Sequence, residues 1–199
     1  VSLKGGDLVF DFGAKAEKGE FRTSPNSKDG GLFIKNRKSL NLEKERLKVY
    51  FPYKRDSGAG KVMDAMKREA RSEGMKEFLD EGISRLRKSG LSLQPDFVVV
   101  APSSFPLAMD WAKLLKKEFG GKIYDKVVKL QKSTDKGVAV RMKTAFENFE
   151  IPEDNPLSGN VVIVDDFATS AATFMGIFEN IRTSVPDVKN VVGIGLAAI

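Results

Sequence analysis

The sequence predicts an α/β protein with a doubly wound, mostly parallel sheet and a β/helical appendage at its N-terminus. Phe97-Val98-Val99-Val100 and Val161-Val162-Ile163-Val164 are short runs that are apolar at every position, the pattern of strands buried on both faces. Each run is followed by a stretch in which apolar residues recur every three or four positions, and strands alternating with amphipathic helices argue a parallel sheet covered on both sides. A length of 199 residues suits one domain with an appendage better than two independent cores.

The elements follow in order. Residues 1–50 carry short β-like pieces, Leu8 to Phe12 and Leu32 to Ile34, separated by the turn-rich segment Thr23 to Gly31; they read as a hairpin-like arm or hood. Residues 51–199 form the α/β domain. Between Ser57 and Lys88, Val62, Met63, Met66 and Ala70, then Met75, Phe78, Leu79, Ile83 and Leu86, predict two helices divided at Gly74. Leu107, Ala108, Trp111, Ala112, Leu114, Leu115 and Phe119 line the helix after the first apolar run, and a short strand is expected from Lys126 to Leu130. Phe174, Ile177, Phe178 and Ile181 mark a last helix leading to a last strand, Val191 to Ala197.

Composition excludes several chemistries. With no cysteine and no histidine there is no disulfide, thiolate nucleophile, Cys/His zinc site, imidazole base or Ser-His-Asp triad. The missing cysteines fit a reducing cytoplasm, and no apolar run has the length of a membrane span. A formal net charge of +6 favours an anionic ligand, either a phosphorylated small molecule or nucleic acid.

In open α/β sheets ligands collect beyond the carboxyl ends of the strands, so the residues after each apolar run are the candidates. After Val164 come Asp165, Asp166, Phe167, Ala168, Thr169, Ser170, Ala171, Ala172 and Thr173. Unpaired amides at a helix start, with small and hydroxyl side chains, suit a terminal phosphate. The two carboxylates suit sugar hydroxyls or a hydrated cation. Asp-Asp alone also fits a plain strand end, and Thr-Ser a plain helix cap. After the other run, Ala101-Pro102-Ser103-Ser104 is a Pro/Ser turn with exposed amides and hydroxyls, a common way to start a helix.

The stretch Val161 to Thr173 resembles the phosphoribosyl pyrophosphate (PRPP) motif of type I phosphoribosyltransferases: four apolar residues, two acids, two loop residues, then a Thr-rich loop. Ala101 to Ser104 is similar to that family's pyrophosphate loop. Lys129, Lys132, Thr134, Arg141, Phe149 and Ile151, with Tyr53 and Lys67 upstream, resemble the ComF-type branch. The resemblance implies a phosphoribosyltransferase-like domain over residues 51–199 that binds Mg-PRPP and transfers the phosphoribosyl group to a nitrogenous base with release of pyrophosphate. It implies Phe167 to Thr173 as the PRPP-binding loop, Asp165 and Asp166 as catalytic groups and Mg2+ ligands, Lys129 and Arg141 as catalytic cations, and Ala101, Pro102, Ser103, Ser104 and Lys67 around the pyrophosphate.

The sequence departs from the family at Ala171, where glycine is usual, and at Phe105 to Lys113, which lacks the arginine-rich continuation of the first loop. The cysteine zinc module of many ComF proteins is absent, and Val1 to Lys48 has no counterpart in the family. These departures keep open a non-catalytic PRPP- or nucleotide-binding regulator, or an accessory of DNA uptake. Direct nucleic-acid binding rests on charge alone, because aromatic residues are not interleaved with the basic ones. Membrane partners are not expected. The acceptor base and the oligomeric state, a homodimer included, leave no mark in the sequence.

Overall fold

The computed structural model describes residues 32–35, 46–53, 73–130, 145–168 and 171–198. Its strands are β1 (Leu32–Lys35), β2 (Arg46–Tyr50), β3 (Phe97–Val100), β4 (Lys122–Tyr124), β5 (Val128–Lys129), β6 (Phe149–Glu150), β7 (Gly159–Ala168) and β8 (Val188–Ala198). The helices are α1 (Glu73–Lys88), α2 (Leu107–Phe119) and α3 (Ala172–Ser184). Six strands form the central sheet in the order β1-β2-β8-β7-β3-β4, and β5 and β6 make a separate antiparallel ribbon. Every neighbouring pair from β2 to β4 is parallel, and only β1 at the edge runs the other way. The expected α/β architecture with a mostly parallel sheet is therefore observed.

Alternation along the strands sorts the core into two layers. Val161 and Ile163 of β7 pack with Phe174, Ile177, Phe178 and Ile181 of α3. Val162 and Val164 pack with α1 and α2, around Leu86, Leu115 and the fully buried Trp111. Gly82 lets α1 approach that indole: a Cβ there would lie 3.3 Å from Trp111 Cη2. The sheet is thus covered on both faces, which is why its central strands are apolar at every position.

The amino ends of the strands are held in register by Asp96. Its backbone N–H donates to Asn160 O at 2.8 Å, its carboxylate accepts the Asn160 N–H at 2.8 Å, and its carbonyl accepts the Lys122 N–H at 2.9 Å. One residue before β3 therefore aligns β3, β4 and β7. Gly159 begins β7 with φ 67°, and a Cβ there would meet the Asp96 carboxylate.

Several expectations need correction. The short strand expected from Lys126 to Leu130 is only Val128–Lys129 and pairs with β6, outside the central sheet. The sheet edge is instead Lys122–Tyr124, three residues too few to show a period in the sequence. The strand expected to end in the two carboxylates continues through Phe167 to Ala168, because β8 extends beside it: Asp165 pairs with Gly195, Phe167 with Ala197 and Ala168 with Ala198. The helix expected after Gly74 is α1, whereas the one before it and the strand expected from Leu8 to Phe12 lie outside the described residues. Arg46–Tyr50, at the end of the arm segment, is a full member of the sheet beside β8.

Beyond β2, Tyr53 forms a parallel bridge with Ala197 and clamps α1 to the sheet. Its ring stacks on Phe78 at 4.0 Å, Arg85 lies 4.6 Å from the ring centroid, and its hydroxyl donates to Phe78 O at 2.8 Å. Burial pushes this phenol up to about 12; Arg85 pulls it down and Glu81 pushes it up, both by less. Since the folded-state value exceeds the ordinary 10.0, the contribution of the neutral phenol is complete below about pH 10 and is lost as pH rises toward about 12. Tyr53→Phe should cost about 1 kcal/mol at neutral pH through the lost hydrogen bond. It should also flatten the alkaline decline, as read from urea unfolding at stepped pH.

A second prediction concerns the glycines of β8. A Cβ on Gly195 would lie 2.2 Å from Phe51 Cε1, and one on Gly193 would lie 2.8 Å from Phe174 Cδ1. Phe51 and Phe174 meet edge to face at 6.1 Å, filling the space that the two glycines leave. Gly195→Ala should destabilise the fold by about 2 kcal/mol through overpacking, measurable as a lowered urea midpoint with an unchanged slope.

Candidate functional site

The site follows from where the chain turns. After β3 the chain crosses through α2 to β4 at the edge; after β7 it crosses through α3 to β8 on the other side. Neighbouring strands whose connections diverge to opposite faces leave a crevice at their carboxyl ends. The last rung closing it is the Ala101 N–H donating to Val164 O at 2.8 Å. Beyond it β3 has ended, and Asp165 and Asp166 continue on β7 next to the departing loop.

Both carboxylates are nearly buried, at 7% and 5% exposure. Each accepts a hydrogen bond from the next backbone N–H: Asp166 N to Asp165 Oδ1 at 2.9 Å, and Phe167 N to Asp166 Oδ1 at 2.7 Å. These bonds orient one oxygen of each carboxylate. Asp165 lies opposite Gly195 of β8, whose missing side chain leaves space for Phe51.

Helix α3 begins immediately beyond. Ala171, buried, has φ 50° and ψ 13°, the left-handed region that favours glycine, and its carbonyl accepts the first helical N–H, from Met175, at 3.0 Å. The position where the resemblance expects glycine is therefore one where the backbone conformation calls for it, and Ala171 carries a cost of about 1 kcal/mol there. Ala171 supplies no side-chain cap, and the first turn holds no acid. Its amides and the helix dipole suit an anion. Phe174, fully buried over Gly193, seats this end of the helix on β8.

On the other side of the crevice Ala101 is buried, Pro102 is half-buried, and Ser103 and Ser104 are exposed. Ser103 Oγ accepts the Phe105 N–H at 3.2 Å, a local turn that leads to Pro106 and α2. The N-termini of α2 and α3 thus approach the same sheet edge from opposite faces.

The structure brings together Asp165, Asp166, Phe167, Ala168, Ala171, Ala172 and Thr173 with Ala101, Pro102, Ser103 and Ser104. Lys129 is exposed on the β5–β6 ribbon and joins this group only through α3, against which the ribbon packs. Thr169, Ser170, Lys67 and Arg141 lie outside the described residues. Phe51, Gly193 and Gly195, which together with Phe174 seat the helix, carry no expectation in the sequence analysis; the glycines two apart in an otherwise apolar strand are the available signal.

Carboxylate oxygens suit Mg2+, which is usually held by one or two carboxylates together with water and substrate phosphates. Among the described residues no three acidic side chains gather to hold a metal ion by themselves. Asp165 and Asp166 fit an ion that arrives with a diphosphate, to which they would add one or two oxygens. Among the described residues, no helix is long and apolar enough to cross a membrane. Compared with known proteins, the chain matches no family model and no curated protein in sequence.

Proposed function

We propose that the chain is a phosphoribosyltransferase-like protein of type I architecture. It binds Mg-PRPP at the carboxyl ends of β3 and β7 and passes the phosphoribosyl group to a nitrogenous base, releasing pyrophosphate. The carrying observation is the convergence, at one strand crossing, of two buried carboxylates, an acid-free helix start with a left-handed entry residue, and a Pro/Ser loop.

The chemistry divides among these parts. The first turn of α3, with Ala171, Ala172 and Thr173, binds the 5-phosphate through amides and a hydroxyl. Asp165 and Asp166 accept hydrogen bonds from the ribose hydroxyls. As the bond from the anomeric carbon to the pyrophosphate oxygen breaks, positive charge develops on the sugar ring, and nearby carboxylates stabilise it. The base nitrogen forms the new bond, pyrophosphate leaves with the electron pair, and the proton displaced from the base passes to Asp166 or to water. The amides and hydroxyls of Ser103 and Ser104, at the end of the Ala101 to Ser104 loop, receive the departing pyrophosphate, with Lys129 as a counter-charge. Mg2+ belongs to the substrate and screens its phosphates. Such a phosphorylated sugar is a cytoplasmic metabolite, in keeping with a cysteine-free chain.

A second function has a specific observation behind it. The buried Ala171 methyl sits at a backbone position suited to glycine, inside the proposed phosphate turn. This favours a regulator that binds PRPP or a nucleotide without turning it over, including a ComF-like role beside DNA uptake.

Calorimetric titration with Mg-PRPP, followed by a pyrophosphate-release assay over a panel of bases, separates the two. Asp166→Asn and Thr173→Val should each weaken PRPP about tenfold with unaltered circular dichroism, the loss expected for one hydrogen bond to a charged group. Unchanged affinity in both variants would reject the site. Ala171→Gly should tighten binding; pyrophosphate release appearing only in that variant would identify the regulator.

A further inference from the structure

We propose that Gly176 and Asn180 of α3 are positioning residues that hold the β5–β6 ribbon so that Lys129 faces the anion-binding end of the same helix. For its ligand this rests on the function proposed above. Asn180 is 7% exposed, an expensive place for a carboxamide unless its bonds are made. Its Nδ2 donates to Phe146 O at 3.0 Å and to Gly176 O at 2.8 Å, one bond across to the turn Phe146–Asn148 that leads into β6 and one back along its own helix. One helical turn earlier, a Cβ on Gly176 would lie 2.3 Å from Ala145 O and 2.5 Å from Phe149 Cδ2. The ribbon therefore lies directly against the backbone of α3.

The register of the ribbon then aims the lysine. Lys129 pairs directly with Phe149, and Val128 with Glu150. Residues directly opposite in an antiparallel pair share a face. Phe149 is buried against α3, so Lys129 projects from the α3 side, while Val128 and Glu150 are exposed on the other. The Leu130 N–H donating to Asn148 O at 2.9 Å extends the ribbon by one more bond. Gly176 lies four residues beyond Ala172, about 6 Å along the axis, so Phe149, the strand partner of Lys129, meets the helix roughly one turn from the proposed phosphate turn. One helix thus carries the anion site at its start and, one and two turns later, the mount for a cation that serves it.

A positioning role predicts coupling that a purely structural role does not. Wild type, Lys129→Met, Asn180→Leu and the double variant are titrated with Mg-PRPP by calorimetry, and hydrogen exchange is followed at the Leu130 amide. Lys129→Met should weaken PRPP about tenfold, Asn180→Leu nearly as much, and the double variant no more than Lys129→Met alone. In Asn180→Leu the Leu130 amide should lose protection while the amides of Phe178 and Ile181 keep theirs. Multiplying losses in the double variant, wild-type affinity in Asn180→Leu, or unchanged exchange at Leu130 would each overturn the proposal. Gly176→Ala supplies the same readouts if Asn180→Leu does not fold. Failure of the wild type to bind PRPP would overturn the functional assignment instead, and the Leu130 exchange would still judge the docking by itself.

Discussion

The arrangement of this molecule depends on the contact between β3 and β7. They are neighbours in register from Phe97 with Val161 to Val100 with Val164, yet the chain leaves them toward opposite faces and opposite edges of the sheet. Two parallel strands joined by main-chain bonds cannot also share the space above their ends once their connections part. What remains is a crevice with a helix start on either side and Asp165 and Asp166 between them. Their burial would be costly without partners, and the adjacent backbone N–H groups provide one for each.

The same constraint explains the residues around the crevice. Helix α3 reaches its place because β8 carries glycines at 193 and 195, leaving space for Phe174 and Phe51. The mount of the β5–β6 ribbon uses another glycine, Gly176, so both faces of the helix start are set by close backbone approach rather than by long side chains. At the far end of the sheet Asp96 and Gly159 set the register that delivers the carboxylates to the same level as Ala101. A charge at one end of a strand and a turn at the other are connected by a ladder with little tolerance for slippage, since a one-residue shift would exchange the two core layers.

Much of the sheet was legible because buried strands are apolar throughout: Phe97–Val100, Val161–Val164 and Val191–Ala197 fall within observed strands. The helices were legible from spacing, with α2 matching Leu107 to Phe119. Strand β4 was not legible, since three residues with one charged and one tyrosine have no period, and its partner β3 makes it a strand. Phe167 and Ala168 read as loop in the sequence, because the small and hydroxyl residues after them favour a turn into the helix. The presence of β8 alongside overrides that preference.

By itself the sequence determined the class of the fold, the exclusion of cysteine and histidine chemistry, and the candidate string from Asp165 to Thr173, because burial pattern and residue type are local properties. Tertiary structure alone decided that the Ala101 to Ser104 loop lies beside Asp165, that Ala171 is left-handed, and that the turn leading into the β5–β6 ribbon is bonded to α3 through Asn180. Those relations join residues tens of positions apart, and only the hydrogen-bond register of the sheet and the close packing of glycine backbones bring them into contact.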